Sequence, residues 1–505
     1  MTKFLFILSA CMPFFLIARS QNANELYLNN MAVGCNYQAA SFVVDTAAPG
    51  AEVQRAFLLW SRNVSRGALQ RLLSVDEFGP TGDFISEHRS RQDSVVFSNL
   101  LPKRIIRSRF FKGYYMLADV IKPRSLEKRV YSTAVVIKID DALRLVWAHS
   151  IHFAHIDSKN INSLIEYNDM IEADNSDLVL AGRLRYVFSR SPTQVLVTRL
   201  READGSIVWN YEYNCKPYCD AVALSLAEAK DRKIVLSGYI NECSSQTHAV
   251  TRKLLFMAVS EFGTPLMARL MGGRMPLTGS RILQHMDERG EAFFVAGFAD
   301  VPGTGAADRQ VLVADIREDG TLKGAWHIGA AGFDSASDMT FSYLGGLDYY
   351  LYLTGATSRN LRAPKSRDPF FLQLIYKAGT MDFVEFSVFT RPDRHYLSGS
   401  GVEIKKAGKE RFAILENVLY NTGILVPFQG NFTNMLIRDL KDTTLSCIRK
   451  YRVPVKGYEL PSRQIPADSS NPNFAYYREN YKVGGKVLQK PQCGRLFIDA
   501  KHPGE

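Results

Sequence analysis

Three cysteines and three histidines are the first residues of this chain whose types and spacing could carry chemistry. Cys215 and Cys219 stand four apart in YNCKPYCDA, and Cys243 follows in NECSS. Thiolates so grouped can bind zinc or exchange disulfides. In an oxidising compartment the plainer expectation is a disulfide pinning two loops, with Cys35 or Cys493 taking the remaining thiol. His149, His152 and His155 recur every third residue in AHSIHFAHID. That spacing spreads the rings around a helix and alternates them across a strand, so it builds no three-ligand site and no metal is expected. Trp147, Trp209 and Trp326 could stack on a sugar or a base, but their shared place in a repeat reads as core. No two carboxylates have a diagnostic spacing. Asp315, in an apolar strand, is the single candidate acid, and it serves equally as a satisfied structural carboxylate. No catalytic residue and no cofactor are assigned.

Charge is distributed unevenly. Residues 88–130 hold eleven Lys or Arg against Asp93, Asp119 and Glu127, most of the formal net charge of +11. Lys103, Arg104, Arg107, Arg109 and Lys112 accompany Phe110 and Phe111 in LPKRIIRSRFFKG, and Lys122, Arg124, Lys128 and Arg129 follow in IKPRSLEKR. Such a cluster suits an acidic glycan or an acidic protein surface; as a solvated edge it would serve solubility alone.

The elements that position these residues repeat. VLVTRL at Val195, LLFMAV at Leu254, VLVADI at Val311 and FFLQLI at Phe370 start 59, 57 and 59 residues apart. Each runs into a tight turn closed by Gly205, Gly263, Gly320 or Gly379, where a left-handed backbone costs glycine little. A later strand in each unit ends in a small residue: LVLAG, IVLSG, FFVAG and LYLTG. Between them lie alternating segments such as AVALSL and DMTFSY. With outer copies at Ala56, Ala134 and Met435, the pattern predicts an all-β fold, a β-propeller of about seven four-stranded blades. The apolar strands from Val195, Leu254, Val311 and Phe370 are expected to line the inner wall. Residues 25–35 and 435–453 are expected to complete the last blade jointly, leaving an irregular tail over 454–505.

The segment VLVTRLREADGSIVWNYEY resembles the quinoprotein-type propeller repeat, in which an apolar strand runs into an Asp-Gly turn and then a tryptophan. The resemblance implies scaffold only. The quinone-dependent enzymes use adjacent cysteines, and this chain has no adjacent pair.

MTKFLFILSACMPFFLIARS, with Lys3, an apolar run and small residues near its end, reads as a signal peptide over 1–20, followed by the propeller over 21–453. Six cysteines then remain, Cys35, Cys215, Cys219, Cys243, Cys447 and Cys493, an even set compatible with disulfides. Asn63 and Asn431 head glycosylation triplets. No other stretch approaches a membrane span, and export disfavours nucleic acid as a partner. The sequence therefore predicts a secreted, extracellular binding or scaffold protein that engages a protein or an acidic glycan at a cell surface through a basic first blade. The alternative is an extracellular glycan-processing enzyme with its site at the central channel.

Overall fold

The computed structural model describes residues 37–46, 53–65, 68–78, 84–88, 100–123, 130–153, 163–186, 192–214, 220–243, 250–273, 275–301, 308–329, 332–358, 367–389, 396–408, 410–421, 429–440, 448–470 and 474–478. The candidate signal peptide, Cys35, Cys215, Cys219, Cys447, Cys493, His155, Arg124, Lys128 and Arg129 lie outside them. So do the side chains of Asn63, Lys122, His152, Cys243 and Asn431.

The chain is all-β, and among the described residues its helical content is one 3-10 turn. Consecutive strands form antiparallel groups. The first contains β1 (Tyr37–Thr46), β2 (Val53–Ser65), β3 (Ala68–Phe78) and β4 (Phe84–His88); the second β5 (Leu100–Arg107), β6 (Gly113–Pro123), β7 (Val130–Asp140) and β8 (Leu145–Phe153). The third contains β9 (Ser163–Glu172), β10 (Leu178–Tyr186), β11 (Gln194–Leu200) and β12 (Ile207–Asn214); the fourth β13 (Asp220–Glu228), β14 (Ile234–Cys243), β15 (Val250–Val259) and β16 (Pro265–Met271). The fifth contains β17 (Leu277–Asp287), β18 (Gly290–Val301), β19 (Asp308–Arg317) and β20 (Leu322–Ile328); the sixth β21 (Asp334–Gly345), β22 (Asp348–Thr357), β23 (Asp368–Lys377) and β24 (Thr380–Phe389). The seventh holds three strands, β25 (Tyr396–Lys406), β26 (Arg411–Asn421) and β27 (Gln429–Asp439). A single parallel bridge, Ser132 to Leu164, joins the second and third groups.

Each group hides its faces against its neighbours. One core cluster joins Val179, Val197 and Leu236 of the third and fourth groups, another Phe256, Phe293 and Leu312 of the fourth and fifth, and another Phe294, Leu353 and Leu372 of the fifth and sixth. A lone sheet of this thinness would leave one apolar face in water, and fully burying each such side chain is worth about 1.5–3 kcal/mol. Trp147 and Trp326 are buried, and Trp209 is partly buried; the indole N–H groups of Trp147 and Trp209 donate to the carbonyls of Glu202 and Glu261, 3.2 and 2.9 Å away.

The first strands of successive groups touch in order, β1 against β5, β5 against β9, and onward through β13, β17 and β21 to β25, which touches β1. This corrects the expected phase of the repeat. The apolar strands at Val195, Leu254, Val311 and Phe370 are third strands, and the axis-side strands are the alternating ones, including AVALSL in β13 and DMTFSY in β21. The third strand β11 has strands on both edges, and all seven of its residues are buried. On its other edge the first strand β9 has a single bridge, to β7, so most N–H groups there need polar company.

The small residue that ends LVLAG, IVLSG, FFVAG and LYLTG has a steric cause. Each first strand carries a bulge, and Gly182, Gly238, Gly297 and Gly355 lie opposite it. A Cβ there would run into the carbonyl oxygen of Glu166, Val222, Thr278 or Ser335.

Residues 25–35, expected to complete the last blade with 435–453, lie outside the described residues; among those described β27 pairs with β26, and β1 with β2. The tail expected to be irregular contains short strands among its described residues. The described residues beyond 447 include the short strands β28 (Ile448–Tyr451), β29 (Val455–Gly457), β30 (Ser462–Gln464), β31 (Asp468–Ser470) and β32 (Phe474–Arg478). They add a fifth strand to the sixth, fifth, fourth, third and second groups in turn. The tail is a belt that runs backwards through the groups and covers the N–H and C=O edges of their outer strands. Val453, Leu460 and Ile465, all buried, anchor it in three different cores.

Candidate active site

The residue just after each first-strand bulge is Ser41, Arg104, Asp169, Ser225, Arg281, Asp338 or Glu403. These seven converge. Arg281 Nη1 lies 2.9 Å from Asp169 although β13 intervenes, and Arg104 Nη1 lies 2.5 Å from Glu403 although β1 intervenes. Arg104 also meets Asp169 at 3.2 Å, Arg281 meets Asp338 at 3.0 Å, and Lys405 meets Glu403 at 2.7 Å. Three cations therefore face three carboxylates. Burial alone would raise the Glu403 carboxyl, yet Arg104 and Lys405 hold it well below the usual range, while burial keeps Asp338 above it.

This ring caps backbone. The Phe42 N–H donates to Glu403 at 2.8 Å, Leu226 N–H to Asp169 at 3.3 Å, Ile282 N–H to Ser225 at 3.3 Å and Ile404 N–H to Asp338 at 2.9 Å. In every case the donor follows a ring residue and the acceptor belongs to the preceding group. Arginine cannot accept, so Met170, which follows the Arg104 group, turns to Asp169 on its own strand at 3.0 Å. The ring pairs its charges with one another, while Arg104 Nε, Arg281 Nε and Asp338 Oδ1 are buried without a hydrogen bond.

A second cluster lies beside the ring, where the bulge in β5 inserts Lys103 between Pro102 and Arg104. Arg104 turns into the ring, and Lys103 turns to two carboxylates, with Nζ 2.7 Å from Glu166 and 3.2 Å from Asp119. Glu166 in turn accepts from Arg183 Nε at 2.7 Å. The arrangement is graded in depth: the Arg183 side chain is 36% exposed, that of Asp119 only 5%. Burial pushes the Asp119 carboxyl up to about 7, against the pull of Lys103, and its Oδ1 is buried without a hydrogen-bond partner. Burial would lower Lys103, but Asp119 and Glu166 hold its ammonium above the usual lysine range; Lys103 and Arg183 keep Glu166 below the usual carboxylate range despite its burial. A carboxyl that titrates near neutrality beside a fixed ammonium can take and return a proton.

The sequence-predicted residues are dispersed. Of the basic cluster, Lys103 and Arg104 enter the site and the ring. Arg109 sits on the opposite face, in the β5–β6 hairpin, where its backbone N–H and guanidinium engage Glu172 and its Nη1 lies 3.0 Å from Asp174. Arg107 and Lys112 are exposed. These residues belong to the second group and not the first, and several are committed to internal ion pairs. His149 is buried on β8 beside Trp147, at 5.3 Å between ring centroids. Asp315 is fully buried between the fifth and sixth groups, accepting from the Tyr376 hydroxyl at 2.5 Å and bonded to His285 Nε2 at 2.9 Å; it is a structural carboxylate. Among the described residues no three His, Cys, Asp or Glu could hold a metal ion. No described helix is long and apolar enough to cross a membrane.

Asp119, Glu166 and Arg183 carried no motif that sequence reading could recognise. Asp119 and Arg183 do share one signal: each is the residue after the small one that ends an apolar second strand, after Ala118 and Gly182.

No protein-family model and no curated protein matches the chain. Solved structures do. An ulvan lyase of a new polysaccharide lyase family, bound to a GlcA(1-4)Rha3S saccharide, is 13% identical, covering 82% of this chain and 97% of its own, with a TM-score of 0.46. A second structure of an ulvan lyase of that new family matches at 12% identity over 82% and 97%, with a TM-score of 0.46. The polysaccharide lyase Uly1 matches at 12% identity over 84% and 93%, with a TM-score of 0.41. The expected binding or scaffold role through a basic first blade is corrected: the cluster lies in the second group, and among its described residues Lys103, Arg104 and Arg109 are engaged in ion pairs within the chain and do not form one presented patch.

Proposed function

We propose that the chain is a glycan-processing enzyme that cleaves an acidic polysaccharide by proton transfer at Lys103, Asp119, Glu166 and Arg183. One observation carries this reading: Asp119 is a buried carboxyl pushed up to about 7, with one orphaned oxygen and an ammonium 3.2 Å from the other. At neutral pH such a group is present in both protonation states, which suits a general acid or base. Lys103 and Arg183, partly exposed above it, face solvent with positive charge fit for a sugar carboxylate or sulfate. Glu166 holds both cations in place.

The contacts of β1 with β25 and the bond from Ser41 to Glu403, 2.8 Å, support a closed seven-bladed propeller as the frame of this site. Export through residues 1–20 would bring it to extracellular glycans.

The test is incubation of the full chain with a panel of carboxylated and sulfated polysaccharides, following new reducing ends together with the ultraviolet absorbance of an unsaturated product. Reducing ends with absorbance indicate elimination, and without it hydrolysis. Asp119→Asn should reduce turnover by a factor of about 10² or more. Cleavage undiminished in that variant would remove the assignment.

A further inference from the structure

The third strands of the fourth, fifth and sixth groups each bring an arginine to the same end of the molecule. Leu255, Leu312 and Phe370 pair with the glycines opposite the bulges, Gly238, Gly297 and Gly355. Arg252, Arg309 and Arg367 each stand three residues before those partners, so they are equivalent in register. All three are packed on aromatic rings. Arg252 lies 4.3 Å from the ring centroid of Tyr239. Arg309 lies 3.9 Å from Phe298 and 4.9 Å from Phe333, and Arg367 lies 3.9 Å from Phe333. Arg309 and Arg367 thus flank one ring, across the junction of the fifth and sixth groups.

Stacking on a ring fixes the plane of a guanidinium and directs its N–H bonds along the rim. Polar neighbours take part of that rim: the Asp300 carboxylate accepts from Arg309 Nε at 2.6 Å and Nη2 at 3.2 Å, and the Asn241 amide oxygen from Arg252 Nε at 3.4 Å. Glu242 beside Arg252 is held by Lys253, 3.8 Å away, and by Arg463. Arg367 is exposed. First strands begin, second strands end and third strands begin on this one face, so the three arginines share it with Lys103, Glu166 and Arg183.

We propose that Arg252, Arg309 and Arg367 form an anion-binding track for an acidic polysaccharide, holding successive charged sugars of a chain whose other part lies at the Lys103–Asp119 site. Three equivalent cations on adjacent sheets fit a polymer with regularly repeated charge better than a single small anion. The identity of the polymer rests on the function proposed above; binding to the track does not depend on turnover.

Equilibrium binding of a fluorescent heparin oligosaccharide to the full chain tests this, with uncharged dextran as the reference. Replacing all three by glutamine should raise Kd about tenfold, since each exposed pair contributes a factor of a few, and should flatten its dependence on salt. Arg367→Gln alone, at an exposed position, should raise Kd about threefold and keeps the test open should the triple variant misfold. An unchanged Kd in these variants, no heparin binding by the native chain, or tighter binding of a single-stranded DNA of equal charge would each overturn the track. Loss of turnover in Asp119→Asn with heparin affinity retained separates the two sites; cleavage that survives in Asp119→Asn while the arginine variants lose affinity leaves the track standing and removes the catalytic assignment alone.

Discussion

Arg281 and Asp169 lie 112 positions apart in the chain and on groups that are not neighbours, yet their side chains meet at 2.9 Å with Ser225 beside them. The first strands β9, β13 and β17, which touch in order, bring them together. The same arginine also meets Asp338, so it bridges two buried carboxylates.

Arg281→Ala should therefore destabilise the fold by about 3–5 kcal/mol, because removing one partner of a buried pair leaves the remaining charge uncompensated. Urea unfolding measures it. Phe262→Ser, at a residue 70% exposed, should change stability by no more than about 0.5 kcal/mol.

The glycines opposite the bulges should tolerate no side chain. Gly297→Ala would press a methyl group into the Thr278 carbonyl, and a cost of about 1–3 kcal/mol is expected from overpacking. Gly457→Ala, with nothing within 4 Å of the new methyl, should leave the melting temperature within about 2 °C of the parent.

Asp119 predicts a pH dependence with a definite sign. Its folded value, about 7, lies above the ordinary 3.8. The folded state binds this proton more tightly than the unfolded chain, so its contribution is fully present below pH 3.8 and is lost as pH rises through about 7. The stability difference between the parent and Asp119→Asn should accordingly shift in favour of the variant across that window in denaturation curves. If Asp119 acts as the base, turnover should rise over the same interval; a flat difference curve would count against the raised carboxyl.

The belt should be a stabilising element. Ending the chain after Val453 uncovers the outer edges of β8, β12, β16 and β20, so lower thermal stability and concentration-dependent aggregation are expected, read by light scattering during melting. Leu460→Ala and Ile465→Ala, each deleting a buried anchor, should cost about 2–4 kcal/mol apiece. A truncated chain as stable as the full one would show the belt to be dispensable.

By itself the sequence determined the all-β class, the repeat near sixty residues and the positions where glycine is needed. Those features are written in local periodicity and backbone sterics, which each unit repeats for itself. Which strand faces the axis was decided by tertiary structure, since a buried strand and an axis-lining strand differ only in what surrounds them. The ring shows the limit most clearly. Ser41, Arg104, Asp169, Ser225, Arg281, Asp338 and Glu403 share one place in the fold but not one residue type, because they complement each other across the axis. Self-similarity, the signal that revealed the repeat, is lost at such positions. Asp119 is hidden for the same reason: an ordinary aspartate in sequence, it is given its proton affinity by burial beneath Lys103 and Glu166, 16 and 47 positions away.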